Sequence, residues 1–271
     1  MNKHVLLLAV FCMPLFLPAQ GLEWAKSFYT APTTGTIDQV HSYVDAIGNV
    51  YTIDGFYKQI DVDPGPDTVL LTSQYGSVYL QKLNTDGELI LGRNIIDMTY
   101  NGAPDLILQA VAADQFGYVY TVGYFNGKFD FDPGPQQFFL ETTLSWDYDF
   151  FIQKLDPAGN LVWAKQFGSN YEDYGHDLKL DALGNVLVTG YFSDTVDFDP
   201  GPGETTLMTN GYYNAYILKL TPSGDFVWVK QIQGYEQSGN SGASRGQFIR
   251  PDHQGNIYVS GTLGGKNDLD P

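Results

Sequence analysis

The sequence Asp130-Phe131-Asp132-Pro133-Gly134-Pro135 recurs in closely similar form from Asp61 and from Asp197, and its first part recurs from Asp268. The four first aspartates are 69, 67 and 71 positions apart. A nearly constant spacing of this size indicates a repeat architecture, in which each repeat is one structural unit that stacks on its neighbours. We therefore predict a chain of repeated units, each about 70 residues long.

Each repeat contains four short segments, here called a, b, c and d, whose alternation and whose aromatic and β-branched residues predict β-strands. Tight turns of the type Asp-x-x-Gly, or close variants, join a to b and c to d, as at residues 181–185 and 156–159. The Asp-x-Asp-Pro-Gly-Pro sequence, here called the DPGP motif, lies between b and c. Four-stranded antiparallel units at constant spacing are typical of β-propeller blades, so the predicted fold class is an all-β propeller.

The repeats define the expected organisation of the chain. We assign a signal peptide to residues 1–19, a lone strand d and loop to 20–35, blade 1 to 36–103, blade 2 to 104–172, blade 3 to 173–243, and strands a and b of an incomplete blade 4 to 244–271. Closed propellers contain roughly 4–8 blades, whereas about 3.5 are present here. We therefore expect an N-terminal piece of a larger propeller, in which residues 22–28 complete the last blade.

Residues 1–19 have the features of a secretory signal peptide. Lys3 precedes an apolar run from Val5 to Phe16, and the small residue Ala19 offers a cleavage position. The run is shorter than the ~20 residues that span a bilayer, so no transmembrane segment is expected after cleavage. The predicted location is secreted or at the cell surface. The net charge of −17 disfavours nucleic acids and anionic membranes, which attract Lys and Arg.

The repeat sequences also resemble a known family. Residues 184–192, 196–203 and 215–230 resemble the SBBP-type repeats of bacterial seven-bladed propellers, and residues 255–261 are similar to NHL-type blades. The resemblance covers nearly all of the chain after residue 19. It implies a secreted or surface-attached propeller within a multidomain protein, often one with a C-terminal sorting domain for type IX secretion. It implies no catalytic motif.

The order of the strands places the long b–c and d–a loops on one face of the propeller, here called the long-loop face. One pair of carboxylates per DPGP motif would reach this face: Asp61 and Asp63, Asp130 and Asp132, Asp197 and Asp199, Asp268 and Asp270. Residues i and i+2 of an extended segment lie about 7 Å apart on one side, and calcium prefers oxygen ligands. One interpretation is a calcium site. The other is a rigid turn in which the Asp side chains accept backbone N–H bonds.

The d–a loops contain tyrosines that are candidates for binding an extracellular glycan or protein: Tyr100, Tyr171, Tyr174 and Tyr235. Tyrosine combines flat apolar area with a hydroxyl group, which suits such ligands. The alternative is that a Tyr-rich β protein exposes some of its tyrosines without any ligand.

No catalytic constellation is evident in the sequence. His41, His176 and His253 fall at different places in the repeat and lack the spacing of metal ligands, and the Gly-x-Ser-x-Gly motif is missing. The sequence therefore predicts a non-enzymatic binding or adhesion module, with calcium as a candidate cofactor and with further blades or domains of a longer chain as partners. Two alternatives stay open: a piece of a propeller enzyme acting on glycans, with catalytic residues in other blades, and a structural spacer.

Overall fold

The computed structural model describes the backbone of residues 5–8, 25–28, 40–99, 105–209, 212–235, 242–264 and 266–267. Side chains are described for residues 40–99, 105–209, 212–234 and 242–264. All regular structure in these ranges is β-strand, which confirms the predicted all-β fold class. No described segment forms a helix with the length and hydrophobicity that crossing a bilayer requires.

The strands follow the predicted repeat. The N-terminal strands are β1 (Val5–Leu8) and β2 (Ala25–Phe28). Blade 1 contains β3 (His41–Val44), β4 (Val50–Phe56), β5 (Gln59–Asp61), β6 (Leu70–Thr72), β7 (Ser77–Leu83) and β8 (Leu89–Met98). Blade 2 contains β9 (Asp105–Ala113), β10 (Val119–Asn126), β11 (Lys128–Asp130), β12 (Phe139–Glu141), β13 (Asp149–Leu155) and β14 (Leu161–Phe167).

Blade 3 and the start of the next repeat continue the same order. Blade 3 contains β15 (Tyr174–Leu180), β16 (Val186–Phe192), β17 (Thr195–Asp197), β18 (Thr206–Met208), β19 (Asn214–Leu220) and β20 (Phe226–Ile232). The last strands are β21 (Gly234–Tyr235), β22 (Ser244–Pro251), β23 (Ile257–Leu263) and β24 (Lys266–Asn267). In each complete blade strands a, b, c and d pair in antiparallel order, as predicted.

The connection from b to c contains a short hairpin that the sequence did not predict. Strands β5 and β6, β11 and β12, and β17 and β18 pair on either side of the DPGP motif. The residue between the two aspartates is apolar and fully buried in each hairpin, as Val62, Phe131 and Phe198. The motif therefore forms the end of a hairpin, because its central residue is buried and the strands on either side of it pair.

The hairpin of blade 2 extends the sheet of blade 1. Its strand β11 pairs with the end of β8, so that Phe129 lies opposite Met98 and Asp130 opposite Asp97. Blade 1 therefore becomes part of a six-stranded sheet. The corresponding strand β24 of the fourth repeat pairs with β21, at the end of blade 3. The hairpin of blade 3, β17 and β18, instead forms a two-stranded sheet of its own.

The cores lie between blades, where two sheet faces meet. The core between blades 1 and 2 includes edge-to-face contacts of Phe131 with Phe151 and Phe125, with ring centroids 4.9 and 5.9 Å apart. The core between blades 2 and 3 includes Phe150, which stacks on Tyr216 at 4.9 Å. Since each complete blade contributes to a core with its neighbour, consecutive blades are held at a fixed angle.

The predicted closing strand is found only in part. β2 (Ala25–Phe28) lies inside the predicted strand of residues 22–28, and it pairs with β1 (Val5–Leu8), within the predicted signal peptide. The pairing that would close a ring therefore stays a prediction. Strand a of blade 3 begins at Tyr174, well before its apolar residues Leu178 and Leu180, because pairing with Tyr191 and Gly190 lengthens it.

One buried amide ties blade 2 to blade 1. The fully buried Gln153 donates from Nε2 to Ile95 O in strand d of blade 1 and to Phe131 O, both at 3.0 Å. Its Oε1 accepts from Thr121 Oγ1 at 3.3 Å. A buried carbonyl without a donor is costly, so this side chain satisfies groups that the inter-blade core would otherwise leave unpaired.

We predict that Gln153→Leu lowers the free energy of unfolding by about 1–3 kcal/mol, because two buried carbonyl groups lose their donor. Leucine is sterically suitable, since Leu218 occupies the corresponding position of blade 3. Urea denaturation followed by circular dichroism measures the effect, with the exposed Gln74→Leu as the control. Equal stability of the two variants would contradict the role given to Gln153.

Candidate functional site

The first aspartate of each described DPGP motif is used inside its hairpin. Asp130 Oδ1 accepts from the backbone N–H groups of Asp132 and Phe138, at 3.0 and 2.9 Å. Asp61 and Asp197 accept the two corresponding bonds at distances of 2.8 to 3.1 Å. One carboxylate oxygen thereby holds both ends of the turn together.

The second aspartate stabilises the glycine of the motif. Asp63 Oδ1 accepts from Gly65 N at 2.7 Å, and Asp199 Oδ1 accepts from Gly201 N at 2.8 Å. In blade 2 the backbone carbonyl of Asp132 accepts from Gly134 N at 2.7 Å. The bonds to Asp63 and Asp199 are of the kind that the rigid-turn interpretation predicts, whereas blade 2 uses a backbone acceptor instead.

Calcium binding at these motifs stays a prediction. Within the described residues no group of three or more His, Cys, Asp or Glu side chains is arranged to hold a metal ion. Asp268 and Asp270, the fourth predicted pair, lie outside the described residues.

The candidate tyrosines occupy different environments. Tyr171 lies in the d–a loop after blade 2 and its side chain is 58% exposed. Tyr174 was predicted in the same loop, but it is the first residue of β15 and is half-buried, because strand pairing and neighbouring rings enclose it. Tyr235 is in β21, where only its backbone is described, and Tyr100 lies outside the described residues.

Tyr174 belongs to a larger aromatic arrangement that the sequence did not predict. Its ring lies 4.1 Å from that of Tyr124 and 5.7 Å from that of Tyr148, measured between centroids. Tyr124 lies near the end of strand b of blade 2, and Tyr148 precedes strand c of that blade. Tyr174 comes from strand a of blade 3, so the cluster crosses the boundary between two blades.

The same arrangement recurs one blade later. Tyr191 and Tyr213 correspond in the repeat to Tyr124 and Tyr148, and their ring centroids are 4.8 Å apart. Arg245, from strand a of blade 4, places its guanidinium carbon 4.8 and 4.4 Å from the two rings. We call the residues Tyr124, Tyr148, Tyr174, Tyr191 and Tyr213 the tyrosine row. We call the strand-a residue that covers each pair, Tyr174 or Arg245, the capping residue.

A bulge in strand a fixes each capping residue. His176 is the extra residue in blade 3, opposite Gly190 and Thr189 of strand b. A Cβ at Gly190 would lie 1.8 Å from Tyr174 O, so only glycine allows strand a to approach this closely. Gly261 has the same relation to Arg245 O, at 1.9 Å. The backbone thereby places the capping residue over the tyrosine pair.

Blade 1 lacks the arrangement. Its residues at the positions of the two paired tyrosines are Gly55 and Gly76. Both tyrosines are thus present in blades 2 and 3 and both are absent in blade 1. An alignment of the repeats shows that the two tyrosines occur together, and the tyrosine pair could have been predicted from this signal.

The tyrosine row lies on the long-loop face, beside exposed aromatic side chains. Tyr148 in the b–c connection donates its backbone N–H to Tyr171 O in the d–a loop, at 3.1 Å. Trp146 and Tyr212, in the b–c connections of blades 2 and 3, are each 68% exposed. Exposed aromatic rings next to an ordered row of tyrosines form a surface suited to ligand binding.

Carboxylates surround the blade 2 part of the row. Tyr148 donates its hydroxyl hydrogen to Asp105 Oδ2 at 2.7 Å, and this bond raises the pKa of Tyr148 to about 12. Glu172 is exposed one residue after Tyr171, and its charge contributes to the raised pKa values of Tyr124 and Tyr174, for which burial is the main cause. Within the row Tyr191 is buried and the other four tyrosines are partly exposed, with hydrogen-bond acceptors beside them.

Two buried carboxyl groups support the loops below the row. Asp173 accepts from the backbone N–H groups of Ser193 and Ser169, at 2.8 and 2.6 Å, and so ties the d–a loop to strand b of blade 3. Asp149 accepts from the side-chain amide of Gln166. Burial raises the pKa of Asp149 and of Asp173 to about 7.

The two interpretations of the DPGP motif predict different outcomes for substitutions at Asp130. As a rigid-turn residue, Asp130→Asn keeps an oxygen acceptor and changes stability little, whereas Asp130→Ala loses two bonds to the backbone and costs about 1–3 kcal/mol. Thermal unfolding in calcium and in EDTA measures both effects. If calcium raises the melting temperature of the wild type, and Asn abolishes this rise as fully as Ala does, Asp130 is a metal ligand.

We predict that Asp149→Asn stabilises the protein at pH 8 by up to about 4 kcal/mol and has little effect at pH 4. The pKa of Asp149 is higher in the folded chain than in the unfolded chain. Its contribution to stability is therefore present below about pH 4 and is lost as the pH rises through about 7. Asparagine fits, since Asn214 has this position in blade 3.

Chemical denaturation at the two pH values measures this difference. Asp86→Asn, which changes an exposed carboxylate, controls for the loss of one charge. A gain in stability at pH 4 as large as that at pH 8 would show that burial of a charge is not the cause.

Comparison with known proteins supports the fold. No protein-family model matches the chain. Over 233 residues, 76% of the chain, it is 22% identical to an uncharacterized WD repeat-containing protein of Acanthamoeba polyphaga mimivirus. The match spans 15% of the length of that protein. WD repeats form four-stranded propeller blades, as these repeats do. The chain is a β-propeller-like repeat protein.

Proposed function

We propose that the chain is an exported, non-enzymatic binding module of the SBBP type, whose long-loop face binds an extracellular glycan. The observation that carries this proposal is the tyrosine row with the exposed rings of Trp146, Tyr171 and Tyr212 beside it. Sugar rings stack on flat aromatic faces, and their hydroxyl groups bond with tyrosine hydroxyls and carboxylates. The row crosses a blade boundary, so it offers subsites for successive units of a polymer.

The sequence features support an exported location. Residues 1–19 have the pattern of a signal peptide, and the repeats resemble those of bacterial surface propellers. The DPGP hairpins serve this function as rigid supports between blades, with calcium as a further ligand to be tested at Asp130 in the experiment described above.

The proposal predicts that aromatic substitutions on the long-loop face weaken glycan binding selectively. Trp146→Ala and Tyr212→Ala should each raise the dissociation constant about tenfold, or about 1.4 kcal/mol, because each removes a stacking surface. Isothermal titration calorimetry measures the binding of hexasaccharides from three neutral glycans (β-glucan, xylan and mannan) and from the acidic glycan galacturonan.

Phe116→Ala and Leu183→Ala are the matched controls. Phe116 and Leu183 lie in the a–b turns on the opposite face and are 72% and 81% exposed, so their removal alters exposed apolar area without touching the long-loop face. Equal weakening by control and test variants would place binding elsewhere. Binding of none of the sugars would favour a structural spacer, and hydrolysis of one of them would favour an enzyme.

A further inference from the structure

Arg245 is held by aromatic rings rather than by an acid. Its guanidinium stacks on Tyr191 and Tyr213, and its Nη2 donates to the Tyr213 hydroxyl at 2.7 Å. Its buried Nε has no acceptor among the described residues. Two aromatic rings therefore orient the guanidinium, while part of its hydrogen-bonding capacity is unused.

No carboxylate neutralises Arg245 in the part of the chain whose side chains are described. The ion pairs found there within 4.0 Å join Lys128 to Glu141, Lys179 and Arg250 to Asp177, and Lys219 to Asp181. Because the Tyr213 hydroxyl accepts from Arg245, its own hydrogen is available to a further acceptor. Tyr148, the equivalent residue in blade 2, instead gives its hydrogen to Asp105.

The repeat shows that a charged capping residue is not required by the fold. The strand-a residues at this position are Ile107, Tyr174 and Arg245 in blades 2, 3 and 4. The residues two positions earlier are Asp105, Glu172 and Ala243. The repeat that has the base Arg245 therefore has alanine where the other two repeats have an acid. The local charge is thus reversed between the two ends of the tyrosine row.

We infer that Arg245 and Tyr213 form a carboxylate-binding subsite at the blade 3 end of the tyrosine row, and that the glycan bound there carries a uronic acid. The guanidinium and the Tyr213 hydroxyl donate to the two carboxylate oxygens. The exposed ring of Tyr212, next in sequence, supplies a surface for the sugar ring itself. This inference rests on the proposed function of the long-loop face.

The overall negative charge does not oppose such a subsite. Charges on the surface are screened over about 8 Å at physiological ionic strength, so the local replacement of acid by base determines the attraction. Asp105 and Glu172 belong to the preceding capping positions. Burial raises the pKa of Tyr191; the charge of Arg245 lowers this pKa, and it acts more strongly there than the opposing charge of Glu172. The blade 2 end therefore suits an uncharged sugar unit, and the blade 3 end suits a charged one.

The test compares hexagalacturonate with its fully methyl-esterified form, which has the same sugar rings without the charge. Isothermal titration calorimetry of the full chain at 50 and 150 mM NaCl measures both affinities. We expect the acid to bind about tenfold more tightly than the ester or better, because a charged hydrogen-bonded contact is gained. Arg245→Gln should bring the ratio of the two affinities to about one, and Arg245→Lys should restore part of the preference for the acid.

Lys128→Gln is the control. It removes one positive charge from the hairpin strand β11 of blade 2 and should keep the preference for the acid over the ester. Circular dichroism and melting temperature confirm that each variant is folded. Equal affinity for acid and ester in the wild type, or a preference that survives Arg245→Gln, would overturn the inference while the proposed glycan binding stands. Binding of neither form nor of any neutral hexasaccharide would overturn both.

Discussion

Each blade of this chain is a sheet with two apolar faces, and a face is buried only when another blade lies against it. Inter-blade burial is therefore the constraint on which the rest of the structure depends. Phe131 and Phe151 serve one such boundary, and Phe150 and Tyr216 serve the next. At the boundary between blades 1 and 2, the polar side chain of Gln153 also reaches across and pairs backbone groups that apolar contacts would leave unpaired.

Packing between blades also positions the side chains on the long-loop face. Once two blades are packed, the start of strand a in one blade lies beside the last part of strand b and the start of strand c in the blade before it. The close approach at Gly190 and Gly261 fixes the side chain at this junction. Tyr174 and Arg245 occupy equivalent junctions, so the fold holds position and orientation constant while the residue type sets the chemistry. Binding specificity can thus change at a junction without a change in blade packing.

Much of the architecture could be predicted from the sequence, since it is repeated and local. Strands c and d of blade 2, at Asp149–Leu155 and Leu161–Phe167, lie on either side of the turn that the sequence predicts at residues 156–159. The DPGP hairpins were missed because their strands have three residues each, too few to show a period. The tyrosine row was missed because Tyr124, Tyr148 and Tyr174 are far apart in sequence and meet only through packing between blades.

The pairing of β11 with β8 has a consequence for how such a chain is assembled and divided. The sheet of blade 1 is not complete when its own four strands have formed, because it gains its last two strands from residues 128–141 of the following repeat. The sheet that contains blade 1 is therefore offset from the sequence repeat by half a blade. A chain that emerges from its N-terminus completes this sheet only after the hairpin of blade 2 has appeared, and a blade 1 module that is cut out for grafting keeps the edge of β8 covered only if that hairpin is included.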